Sequence, residues 1–154
     1  MITLSPMSDT DFHMFLRRAV PQYAYDQMRS GNWPAEQAAA RAQQEFQQLL
    51  PQGPRTPGHF FMNILAEDTK VGMLWFVMDQ SRAQPTAFLA DFFIFGEFRN
   101  RGYGLPAMAA LEEAARAQGA QRIEVQVFGH DEDAFKLYSE AGLKVRSYYM
   151  GKTL

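Results

Sequence analysis

Apolar residues in the first third of the chain recur at helical spacing, and from His59 onward they switch to a strand-like pattern. Phe12, Phe15, Leu16, Val20, Tyr23 and Met28 predict a helix from about Thr10 to Arg29, capped by Ser8 or Asp9 and stopped by Ser30-Gly31-Asn32. Pro21 interrupts it, so one helix or two short ones fit the pattern equally well. Ile2 to Leu4 predicts a short strand before it, ended by Ser5-Pro6. Pro34 opens a second helix over 35–50, and Pro51-Gln52-Gly53-Pro54 closes it. Phe60 to Ala66 and Val71 to Asp79 then predict an antiparallel hairpin around Glu67-Asp68-Thr69-Lys70.

Phe88 to Phe95 predicts a further strand, followed by a helix over 105–118 with Leu105, Met108, Leu111 and Ala115 on one stripe and Gly119 at its end. Arg122 to Phe128 predicts a strand, Asp131 to Ala141 a helix closed by Gly142, and Leu143 to Tyr149 a final strand. Strand, helix and strand in that order imply a parallel pair. The architecture is an α/β sandwich with a mixed sheet and an N-terminal helical pair.

Composition narrows the possible functions. A chain of 154 residues that is 47% hydrophobic, with 13 Phe, fits one domain over 1–154. A net charge of −2 gives no electrostatic case for nucleic acid or an anionic membrane surface. The absence of cysteine removes disulfides, a thiol nucleophile and thiolate zinc, and three scattered histidines form no ligand pattern. The N-terminus carries neither a basic head nor a signal-length apolar run, and no stretch approaches membrane-spanning length, so a cytoplasmic location is expected.

The chemistry concentrates in Arg99-Asn100-Arg101-Gly102-Tyr103-Gly104, where a strand hands over to a helix. Gly102 and Gly104 let the backbone turn tightly, and a helix start leaves its first amides unpaired and suited to phosphate. Arg99 and Arg101 add cationic side chains beside the same loop. Gly102-Tyr103-Gly104-Leu105-Pro106-Ala107 also fits the dinucleotide pattern G-x-G-x-x-A, with Glu124 about twenty residues on. Too little chain follows for the remaining units of such a sheet, which disfavours hydride transfer.

Arg99-x-x-Gly102-x-Gly104 after an apolar strand, followed by Asp131-x-x-Ala134-x-x-Leu137-Tyr138-x-x-x-Gly142-Leu143, resembles the two signature segments of the GCN5-related N-acetyltransferase (GNAT) superfamily. The resemblance spans roughly Phe88 to Leu143. It implies a single domain with a mixed, mostly antiparallel twisted sheet, a central parallel pair and helices on both faces. It further implies acetyl-coenzyme A as cosubstrate, with transfer of the acetyl group directly to an amine of a small molecule or peptide, and a possible homodimer. By position, Phe92, Phe93 and Ile94 would meet the pantetheine and acetyl group. Asn100, Arg101, Gly102, Tyr103, Gly104 and Leu105, with Arg99 beside them, would hold the pyrophosphate, and Tyr138 would be the general acid.

Asp91, an acid within an apolar strand, is the first candidate for the base, because burial would raise its pKa. Some family members place a glutamate where this chain has Gln126; Glu124, two residues earlier on the same face, is the nearest substitute. Asp131 stands where the family usually has asparagine, which leaves only acceptors toward the coenzyme arm. Pro106 removes one amide from the first helical turn but leaves the loop amides intact. Asp131 and Gln126 also admit an alternative, a non-catalytic acyl-coenzyme A sensor or interaction module. His59 and His130 read as structural or exposed loop residues.

Overall fold

Ser8 opens the longest helix, α1 (Asp9–Arg29), in the computed structural model, which describes residues 1–154. The Ser8 hydroxyl accepts from the Asp11 amide and the Asp11 carboxylate accepts from the Ser8 amide, both at 3.0 Å. This reciprocal capping box satisfies donors that a helix start otherwise leaves unpaired. Pro21 stays inside one continuous helix. Pro21 and Arg17, whose carbonyl lies four residues back, are both exposed, so water can serve the acceptor that proline leaves unpaired.

Asp11 also ties α1 to the sheet. Its Oδ2 accepts from Asn63 Nδ2 at 2.9 Å and its Oδ1 pairs with Lys70. Lys70 holds the Asp11 carboxyl well below the ordinary carboxylate range, against the opposing effect of burial. Asp11→Ala is therefore expected to destabilise the fold by about 2 kcal/mol at pH 7. Because the folded-state pKa is depressed, this stabilisation is complete above the unfolded value of about 4 and is lost as pH falls through the depressed one. Urea unfolding of both proteins at pH 7 and pH 3 checks this: the gap should narrow at the lower pH.

The sheet runs β1 (Ile2–Pro6), β2 (His59–Ala66), β3 (Thr69–Asp79), β4 (Thr86–Ile94) and β5 (Arg122–Val125), side by side in chain order. Neighbours are antiparallel except β4 and β5, which are parallel. Glu67 and Asp68 form the β2–β3 turn, with Glu67 at φ 53°. Alternation along the strands sends Ile64, Leu74, Phe76 and Leu89 to one face, where they pack on Ala107, Met108, Leu111 and Ala115 of α3 (Gly104–Ala117). Phe61, Met73 and Trp75 face the other way, onto Phe12, Phe15 and Ala19 of α1. Helices thus cover both faces. α2 (Ala35–Leu49) packs on α1 through Ala38 and Ala42 around Trp33, and α4 (Glu132–Glu140) lies on the α3 side through Leu137 and Tyr138.

Two sequence expectations are corrected at the C-terminal end. The strand predicted over 122–128 stops at Val125, and the final strand predicted over Leu143–Tyr149 does not form. No backbone hydrogen bond joins residues 144–154 to the rest of the chain. A strand exists only with a ladder partner, and neither this segment nor the outer edge of β5 has one. The parallel pair therefore lies at the edge of the sheet.

Candidate active site

The site begins with a bulge. Trp75 pairs with Asp91 and Phe76 with Leu89, so Ala90 is the extra residue that bends β4. The β4–β5 ladder ends at Leu89 and Val125, while β4 continues to Ile94. Beyond Leu89 the β5 side of β4 carries no strand, and the polypeptide edge of Phe92, Phe93 and Ile94 is open there.

The chain then turns through Gly96–Phe98 into the loop. Arg99 Nε donates to the Ile94 carbonyl at 2.9 Å, and its guanidinium lies over the Phe93 ring at 4.8 Å. Asn100 (φ 61°) and Gly102 (φ 79°) both adopt the left-handed conformation. The amides from Asn100 to Leu105 donate to no group in the chain, since the first bond of α3 is that of the Ala107 amide to the Tyr103 carbonyl. A run of free amides at a helix start has the chemistry to receive an anion. Arg101, stacked 5.8 Å from the centroid of Phe98, adds charge beside it. Gly104 has a separate reason to be glycine: a Cβ there would lie 2.9 Å from Leu137 Cδ1, so its absence lets α3 approach α4.

On α4, Tyr138 meets the Phe92 ring edge to face at 6.5 Å. Its hydroxyl bonds to no protein group yet is not sealed from solvent. Burial first, then the negative charges of Asp91 and Asp131, push the phenol above its ordinary pKa. Tyr138 is therefore a protonated donor at any physiological pH.

Asp91 is not a free carboxylate. Arg18 of α1 grips it through two bonds of 3.2 and 2.5 Å, and the Arg18 guanidinium stacks 4.0 Å over Phe93. Burial raises the Asp91 pKa, with Arg18 opposing. Phe93 is thus held between Arg18 and Arg99. Asp131 spends Oδ1 on the Ala134 amide at 3.1 Å, capping α4. Glu124 bonds Arg82 at 3.0 and 3.2 Å and Arg122 at 3.1 Å; Arg82 chiefly lowers its pKa, so this carboxylate is a poor base.

Two of the three histidines have structural partners. His59 Nδ1 accepts from Trp75 Nε1 at 3.0 Å, and His130 Nε2 lies 3.0 Å from Asp26 Oδ1, joining the end of α1 to the loop before α4. Sequence reasoning missed Arg18. Its signal was available: Arg18 sits three residues after Phe15 and beside Ala19, within the stripe that faces the sheet.

An open strand edge, a run of unpaired amides and an unengaged phenol thus come together in an α/β fold at the point where two parallel strands part. The chain belongs to the acetyltransferase (GNAT) family, which it matches over residues 22–143. It is 35% identical to the uncharacterized N-acetyltransferase YycN of Bacillus subtilis (strain 168) over 99% of each chain. It is 31% identical to the uncharacterized N-acetyltransferase YdgE of the same organism, covering 99% of this chain and 98% of that one. The crystal structure of YycN matches with a TM-score of 0.94 over 100% of this chain and 99% of the other. AAC(6')-Iy, solved with the bisubstrate analog CoA-S-monomethyl-acetylneamine, shares the fold at 15% identity and a TM-score of 0.57, over 100% of this chain and 99% of that one.

Proposed function

We propose that this acetyltransferase moves an acetyl group from acetyl-coenzyme A directly to a primary amine of a small molecule or peptide. The observation that carries the reading is the run of unpaired amides from Asn100 to Leu105, set at the end of β4 where β5 has parted from it. A multiply charged phosphate group suits those amides together with Arg99 and Arg101. Phe92, Phe93 and Ile94 present an open backbone edge to an extended arm, and the unused oxygen of Asp131 remains as an acceptor near it.

The coenzyme would supply an acyl group activated as a thioester. The chain's own residues handle charge and protons. A backbone amide near Ile94 serves the oxygen on which negative charge develops. As the C–N bond forms and the C–S bond breaks, Tyr138 gives its proton to the departing sulfur. Asp91, oriented by Arg18, takes the proton that the amine loses.

One N-acetyltransferase domain over 1–154 carries this activity. We place it in the cytoplasm, as a homodimer, with neither nucleic acid nor membrane as partner; the net charge of −2 supports the exclusion of polyanions. No helix is long and apolar enough to cross a membrane.

Calorimetric titration with acetyl-coenzyme A, followed by thiol release across a panel of amines, tests the reading. Saturable binding and thiol release with one amine class are expected. Binding without release from any amine would favour the sensor, and absence of binding would overturn the cradle.

A further inference from the structure

α4 carries the acid of the proposed reaction, yet few interactions of its own hold it in place. The helix has nine residues and none of them is buried. A helix of that length is marginal without tertiary support. Leu137 and Tyr138 pack on the core between α3 and the sheet, but no side chain from Glu132 to Glu140 forms a hydrogen bond or an ion pair with another element.

Its N-terminus is fixed by a turn instead. The Asp131 amide donates to the Phe128 carbonyl at 2.9 Å, and the Asp131 carboxylate accepts from the Ala134 amide at 3.1 Å. His130 lies within that turn, so whatever holds its ring also holds the start of α4. The Phe128 ring stacks on the imidazole at 5.5 Å and 24°. On the other side, Nε2 donates to Asp26 Oδ1 at 3.0 Å, because a carboxylate only accepts. Gln22 Nε2 donates to the same oxygen at 3.2 Å and orients Asp26. The two paired side chains are only 20% and 21% exposed, which limits competition from water.

No other hydrogen bond or ion pair joins α1 to the chain beyond β5. Arg18, Gln22 and Asp26 follow one another at intervals of four residues and so share a face of α1. At one end of this stripe Arg18 grips Asp91. About 12 Å further along the helix axis, Asp26 grips the entrance to the helix that carries Tyr138. One rigid rod thus touches the supports of both proton-handling groups.

We infer that Asp26 and His130 are positioning residues, a latch through which α1 sets the place of Tyr138 relative to Asp91. This rests on the reading of Tyr138 as the acid and Asp91 as the base. The latch pair moves no proton in the reaction and acts through Tyr138. An acid and a base serve one transfer only at a fixed separation, and a displacement of about 1 Å can cost about 100-fold in rate. With the latch broken, α4 keeps the packing of Leu137 but loses its polar anchor, and the phenol spends less time at the departing sulfur.

Two measurements on the full chain test the latch. Amide hydrogen exchange needs no substrate. In His130→Ala and in Asp26→Ala the α4 amides are expected to exchange about 10-fold faster than in the wild type, with α3 unchanged. Asp26→Asn keeps the accepting oxygen and should match the wild type. The second measurement is a double-mutant cycle, read as thiol release from acetyl-coenzyme A with whichever amine of the panel turns over fastest. His130→Ala is expected to lower kcat about 10-fold in the wild-type background and less than about twofold in Tyr138→Phe, since a group that acts through the phenol has nothing to position once the hydroxyl is gone. A general structural role would lower both backgrounds equally. That equal loss, or unchanged α4 exchange in a folded His130→Ala, would overturn the inference. Wild-type turnover in Tyr138→Phe would instead overturn the assignment of Tyr138 on which the latch rests, so the two failures are told apart.

Discussion

Tyr138→Phe is expected to lower kcat about 100-fold, with acetyl-coenzyme A affinity unchanged within about twofold. The change removes one oxygen. It keeps the ring that meets Phe92 edge to face, so packing around the site is conserved. The hydroxyl bonds to no other group in the chain, so its loss leaves no partner stranded and has no structural cost to confuse the result. Burial and the charges of Asp91 and Asp131 keep the phenol protonated. The defect should accordingly be the same at pH 7 and pH 9, unlike that of a group titrating in this range. Single-turnover thiol release measures it; wild-type turnover in this variant would remove Tyr138 from the mechanism.

The second large effect is expected at the cradle. Arg101→Glu together with Gly102→Val should weaken acetyl-coenzyme A binding by about 100-fold or more, while thermal unfolding shifts only slightly. Gly102 sits at φ 79°, a conformation that a β-branched residue adopts only under strain, so valine will re-aim the neighbouring amides. No atom lies within 4 Å of where its Cβ would be, so the loop deforms without disturbing the core. Glutamate at 101 then sets a negative charge where a phosphate would lie. Calorimetry on the folded double variant provides the check, and retained affinity would overturn the cradle assignment.

Much of the site-bearing half was legible from local pattern. The β4 strand, the glycine loop, α3 and α4 appear where periodicity, caps and glycines place them, within a residue or two. These signals act over one or two turns of chain and need no knowledge of the rest. The final strand was misread for the same reason. Leu143 to Tyr149 has the composition of a strand, but composition does not supply the neighbouring edge that a ladder requires. Asp91 was legible as an acid in an apolar strand, whereas its engagement by Arg18 was not.

The sequence alone therefore determined β4, the glycine loop with its unpaired amides and the placement of Tyr138 on a following helix, because backbone conformation at Gly102 and the start of α3 follows from nearby residues. Only the tertiary structure decided what each group can do. The partner of Asp91 comes from 73 residues away and that of His130 from 104 residues away. Such pairings depend on how α1 docks over the sheet, and docking is set by the summed burial of Phe12, Phe15 and Ala19 against Phe61, Met73 and Trp75 rather than by any local propensity.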